Sequence, residues 1–136
     1  LDRYGQQIQI LVVQASSGSI NGLDALNRFF SLSFTLLPEV LLRQGCFAVN
    51  TVSELSLVDE ELPSLAEGYL SQVKAGLLEQ ILRGQEDGSI NASMEANEIA
   101  CNLMNMIRGL RIGLQGGMEL NEVQNVIKFN LKMLEL

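Results

Sequence analysis

Apolar residues recur at three- and four-residue spacing along almost the whole chain, and no segment alternates apolar and polar side chains as a half-buried strand does. That property confines the fold to the all-α class. Leu1, Tyr4, Ile8, Leu11, Val12 and Ala15 describe a helix already under way at residue 1. Ser16, Ser17, Gly18 and Ser19, with Asn21 and Gly22, break it. A Phe-rich helix follows, with Leu23, Leu26, Phe30, Phe34, Leu37 and Leu41 on one face and Phe29 beside it. Pro38 lacks an N–H and is expected to kink or restart this helix, which Gly45 then closes.

The segment Cys46 to Leu55 reads as a short helix. Beyond it, Asp59 suits an N-cap, and Glu60 and Glu61 suit the positive end of a helix dipole. The helix they open carries Leu62, Leu65, Tyr69, Leu70, Val73, Leu77, Ile81 and Leu82, tolerates Pro63 in its first turn, and is expected to end near Gly84. After a turn marked by Asp87–Gly88, the next helix is expected to begin at Asn91 or Ser93 and to run to Gly116–Gly117. Its apolar residues Met94, Ile99, Ala100, Cys101, Leu103, Met104, Met106, Ile107, Leu110, Ile112 and Leu114 occupy more than one face, so it needs cover on two sides. A final helix, about Glu119 to Leu136, repeats the pattern with Leu120, Val123, Val126, Ile127, Leu131 and Leu134. The expected architecture is a bundle of about six helices.

Composition decides what covers the surplus. The 136 residues suit a single domain, yet 47% are hydrophobic and only 18% charged. A small domain cannot bury so much alone, and part of it is expected to face a partner. The last two helices look like an antiparallel hairpin, and two such hairpins in an isologous homodimer would form a four-helix bundle. No apolar run reaches the ~18 to 20 residues of a membrane-spanning helix. A net charge of −7 disfavours phosphate backbones and anionic lipid surfaces. Two cysteines far apart suit a reducing, cytoplasmic setting, and the absence of histidine removes the commonest general base and metal ligand.

Candidate chemistry is sparse. Cys46, near a helix entry, is either an electrophile or redox sensor or a small buried residue, and burial is the preferred reading. Cys101, mid-helix among apolar neighbours, is expected to pack. Glu95 and Glu98 share a helix face, but no Glu-x-x-His accompanies them. Asn91-Ala92-Ser93 matches a glycosylation sequon and is read as helix capping. With no nucleophile–base pair, phosphate-cradling loop or metal-ligand set, no enzyme and no cofactor is expected. The aromatic and Met residues Phe29, Phe30, Phe34, Phe47, Tyr69, Met104 and Met106 form either an ordinary core or the walls of an apolar cavity.

Gly45-Cys46-Phe47-Ala48-Val49-Asn50-Thr51-Val52-Ser53-Glu54-Leu55 resembles the G-C-(apolar)-x-x-N-(S/T)-x-x-E-(apolar) signature of TetR-type transcriptional regulators. Gly84-Gln85-Glu86-Asp87-Gly88-Ser89-Ile90 is similar to the family's "GQxxGxI" turn, and Gly109-Leu110-Arg111 to its "GLR". The order and spacing of these short motifs extend the resemblance over residues 1–136. The family's three-helix, helix-turn-helix DNA-binding domain has no counterpart here. Residues 1–15 look like the remainder of the helix linking it to the ligand-binding body, so the start is read as a truncation.

The resemblance implies a small-molecule-sensing and dimerisation domain of a regulator, expected to be a repressor, whose operator binding through the missing N-terminal domain is released by an effector. Apolar walls imply a lipophilic or aromatic effector. By position, Phe30, Phe34, Phe47, Tyr69, Val73, Met104 and Ile107 are expected to line its pocket, with Asn50, Gln72 and Arg108 as polar handles. The homodimer interface is expected from Leu103, Met106, Leu110, Leu114, Val123, Val126, Ile127 and Asn130. These sets depend on helical phase, and a one-residue error exchanges the two faces. Two alternatives stand beside this reading: a purely structural helical dimerisation module without ligand, and a thiol sensor using Cys46.

Overall fold

The computed structural model describes residues 17–34 and 61–136, the side chains of residues 61–66 and 69 excepted. These residues form four helices: α1 (Gly22–Ser33), α2 (Glu61–Asp87), α3 (Ala96–Gln115) and α4 (Leu120–Lys132). No strand occurs among the described residues, as the spacing predicts, and none of their helices is long and apolar enough to cross a membrane. The expected first helix, the short helix over Cys46 to Leu55 and the continuation of the Phe-rich helix through Leu37 and Leu41 lie outside the described residues.

Asn21 starts α1 in extended backbone, its side chain accepting the Asp24 N–H at 2.8 Å. Asp24 reaches back to the Ile20 N–H at 3.0 Å, so the two side chains hold the helix entry from both directions. Gly22, Ala25, Leu26, Phe29, Phe30 and Ser33 face inward at helical spacing. Phe29 and Phe30 meet edge to face, ring centroids 5.3 Å apart. α1 packs against α2, α2 against α3, and α4 against both α3 and α1. One continuous core results, filled by Leu26, Phe30, Ile81, Ile90, Leu103, Leu114 and Val123 as its most deeply buried large side chains.

Three helix boundaries differ from expectation, each for a local reason. α2 does not stop near Gly84 but runs to Asp87. A Cβ on Gly22 would fall on the backbone of Gly84 and the Gln80 carbonyl, so the helices cross backbone to backbone. Gly84 therefore serves the crossing, and Gly88, with φ at 89°, makes the turn. The N–H groups of Gly88 and Ile90 both return to the Gly84 carbonyl at 3.0 Å.

α3 begins at Ala96, later than Asn91 or Ser93, because residues 91–94 have other partners. Asn91 folds an Asx turn, its Oδ1 accepting the Ser93 N–H at 2.9 Å. Gln85 Nε2 donates to the Met94 carbonyl at 2.7 Å. Glu95 then caps α3, its carboxylate accepting the Glu98 N–H at 2.9 Å. The sequon asparagine thus closes a turn, not a helix, and Glu95 lies outside the helix face it was expected to share with Glu98.

α4 ends at Lys132, short of Leu136, and the chain turns so that Leu134 is buried and its carbonyl accepts the Asn91 N–H at 2.7 Å. The phase of α3 also corrects one side chain: Cys101 is exposed, while Ala100, Leu103 and Met104 take the inward positions. Leu82, Met94 and Ile112, read as part of apolar faces, are exposed as well.

Candidate functional site

Among the residues expected to line a pocket, Phe30, Phe34, Val73, Met104 and Ile107 all enter the same buried cluster, drawn from α1, α2 and α3. Their helical phases converge: Phe30 and Phe34 are one turn apart, as nearly are Met104 and Ile107 on α3. None of the five is more than 8% exposed, so each is closely covered by the surrounding core. Phe47 and Asn50 lie outside the described residues, as does the Tyr69 side chain.

The expected polar handles are placed differently. Gln72 is exposed on α2, one residue before the inward-facing Val73. Arg108 turns away from the cluster, its Nη2 3.6 Å from Glu67 Oε2 with both side chains substantially in solvent. Such a pair contributes little to stability.

The cation that does reach the core is Arg111, three residues on, which the pocket expectation omitted. Its guanidinium carbon sits 4.3 Å from the centroid of the Phe34 ring, and its Nη2 donates to the Ser33 carbonyl at 3.3 Å. Ser33 is itself buried and donates its hydroxyl back to the Phe29 carbonyl at 2.7 Å. No basic residue lies in the last turn of α1. Arg111 therefore supplies from α3 the positive charge that the carbonyl end of α1 lacks. Helical phase held a clue, since Arg111 follows Ile107 by one turn on the inward side.

At the opposite end of α1, the "GQxxGxI" motif acquires a physical role. The Asp87 carboxylate accepts the Gly22 N–H at 2.8 Å and the Ser89 N–H at 2.9 Å, and Ser89 Oγ accepts the Leu23 N–H at 3.1 Å. Arg83 donates to Ser19 Oγ at 2.7 Å and to its carbonyl at 3.2 Å. Hydrogen bonding by the Ser89 side chain is the largest influence on the Asp87 carboxyl; burial opposes it, and the Gly22 and Ser89 backbone N–H groups and the Arg83 charge add to it, so that the carboxyl is held below its ordinary pKa.

The residues expected at a dimer interface divide in two. Leu103, Leu110, Leu114 and Val123 are buried within the chain's own core, which leaves almost none of their surface for a partner. Met106, Val126 and Ile127 are half-buried against that core, and Asn130, also half-buried, donates to the Val126 carbonyl at 2.9 Å. The open apolar surface lies on other positions. Phe129, Met133 and Leu136 are 66%, 62% and 92% exposed at the end of the chain, and Ile112 on α3 is 52% exposed.

Among the described residues no group of His, Cys, Asp and Glu is arranged to hold a metal ion. Residues 22–115 match the model of the family described as "Tetracyclin repressor-like, C-terminal domain". No curated protein and no solved structure matches the chain.

Proposed function

We propose, from the premise that this chain belongs to the tetracyclin repressor-like C-terminal domain family, that it senses a small apolar effector between α1, α2 and α3 and dimerises through α3 and α4. Domains of this family generally dimerise and bind small-molecule effectors. The finer reading is a repressor domain: effector binding alters the arrangement of two subunits, and operator contact resides in a helix-turn-helix domain outside these residues. An effector shifts that equilibrium only by its differential affinity for the two arrangements. The setting is cytoplasmic, with no catalytic step and no cofactor.

The observation that carries the reading is convergence. Side chains from three helices, Phe30 and Phe34, Val73, and Met104 and Ile107, meet in one apolar cluster with a guanidinium at its edge. Ligand sites in helical bundles have this composition, largely apolar with few polar groups. Because these walls are closely packed, an effector must displace side chains as it enters. Sensing and helix movement are then one event. A panel of lipophilic and aromatic compounds tests this by thermal shift, with Met104→Ala as the comparison. A compound that stabilises the wild type and not the variant is the expected result. If no compound shifts either, the chain is a structural dimerisation module.

For the dimer, the residues with surface to give are Phe129, Met133 and Leu136 on and just beyond α4, Ile112 on α3, and the half-buried Met106, Val126, Ile127 and Asn130 beside them. Phe129 lies in the last turns of α4, and Met133 and Leu136 follow in the segment beyond its end. The thiol-sensor reading needs Cys46 to alkylate faster than the exposed Cys101; slower labelling of Cys46 excludes it.

A further inference from the structure

Asn21 is the one asparagine of the chain that a glycine follows, and the pair opens α1. An Asn-Gly pair is especially prone to lose ammonia from its side chain, because glycine has no Cβ to hinder ring closure on its nitrogen. Here both reacting groups are engaged elsewhere. The Asn21 carboxamide oxygen accepts the Asp24 N–H at 2.8 Å, and the Gly22 N–H donates to the Asp87 carboxylate at 2.8 Å. Asn21 stands with ψ at 179°. Ring closure eclipses the Gly22 nitrogen with the Asn21 Cβ, so the backbone must rotate away from that angle. Gly22 is buried, and so close to the Gly84 backbone and the Gln80 carbonyl that a Cβ would overlap them, which leaves the peptide little room to turn.

We propose that Asn21 is a self-modification site held latent by the Asp87 contact, and that opening of the α1–α2 joint exposes it to deamidation. In the reaction the Gly22 nitrogen gives up its proton and bonds to Asn21 Cγ. The Cγ–Nδ2 bond breaks, and the side-chain nitrogen leaves as ammonia, carrying that proton. The five-membered succinimide then takes up one solvent water across either of its imide C–N bonds. One product is aspartate and the other isoaspartate, and nothing is oxidised or reduced. Asp87 opposes the first step in two ways. Its carboxylate stabilises the N–H form through a charge-assisted hydrogen bond, and its charge disfavours the nitrogen anion that must form beside it. Aspartate keeps an oxygen for the Asp24 N–H. Isoaspartate lengthens the main chain by a methylene before the Gly22 nitrogen, so the cap and the Gly22–Asp87 contact no longer fit together. An opening of the joint thereby becomes a permanent loosening of α1 from α2. The site does not depend on the pocket reading.

Peptide mapping by mass spectrometry, with the two isomers separated by chromatography, follows the reaction in mildly alkaline buffer. The folded wild type is expected to deamidate at Asn21 about a hundredfold more slowly than the same chain in urea. A charge-assisted bond and a capping bond must both open first, each worth about tenfold. Asp87→Ala removes the acceptor and is expected to raise the folded rate about tenfold, with circular dichroism showing that the helices remain. Should Asp87→Ala fail to fold, Ser89→Ala frees the Leu23 N–H at the same joint, and a smaller acceleration is expected. A folded wild type that reacts as fast as the denatured chain would overturn the latent site. So would a folded variant that keeps the wild-type rate, or an Asn21 that reacts no faster in urea than Asn91 or Asn97.

Discussion

At the scale of single residues, the glycines of the α1–α2 crossing make the sharpest test. Propensity alone predicts that Gly→Ala in a helix stabilises by up to about 1 kcal/mol. At Gly84 an added Cβ would instead strike the buried Ile90 side chain. Gly84→Ala is therefore expected to destabilise by about 3 kcal/mol, the upper range for overpacking. Gly68→Ala on the same helix meets nothing within 4 Å and is expected to be neutral or stabilising. Urea denaturation of the two variants, with opposite signs of shift in midpoint, checks both.

Asp87 gives a pH dependence whose sign is fixed. Its carboxyl titrates below the ordinary 3.8 in the folded chain because Ser89, Gly22 and Arg83 favour the ionised form. A carboxylate depressed on folding contributes stability above its unfolded pKa, and that contribution is lost as pH falls through the folded value. The loss accordingly begins near pH 4 and is complete below the lowered pKa. Asp87→Asn should be less stable at pH 7 and should show a shallower decline over that acid range, measured by thermal denaturation at stepped pH.

At the scale of elements, α1 depends on its start. Asn21 caps its own helix while Asp87 and Ser89 take the next two N–H groups, so the donors a helix leaves open are satisfied from two sides. Asn21→Ala is expected to lower stability by about 1 kcal/mol, the usual value of such a cap. Asn21→Asp, which keeps an acceptor in place, is expected to recover it. The helix boundaries teach the same lesson. Local signals located the Phe-rich helix start and the glycines after α3. The ends at Gly84 and Asn91 differ from expectation because Gly84 meets α1 and the Asn91 N–H bonds the Leu134 carbonyl, contacts between residues far apart in sequence.

At the scale of the whole molecule, the open apolar stripe at the end of the chain is the feature left over. Phe129 and Met133 both lie more than half exposed. Sedimentation of the wild type at micromolar concentration is expected to give a dimer. Phe129→Glu should give a folded monomer, since a charge on an open position leaves the core untouched but disfavours burial against a second copy. A wild-type monomer, or a variant that remains dimeric, would count against this face.

The fold class, the family resemblance and the inward identity of Phe30, Phe34, Val73, Met104 and Ile107 were legible in the amino-acid sequence, because helical periodicity is local and survives without knowledge of neighbours. Which of the α3 and α4 residues are left for a partner was not. A stripe of apolar residues does not say which neighbour covers it, and Leu103, Leu114 and Val123 turn out to be covered from within. The same holds for the two arginines three residues apart. Their chemistry is identical, and only the placement of α3 among its neighbours sends Arg108 toward Glu67 and Arg111 onto Phe34.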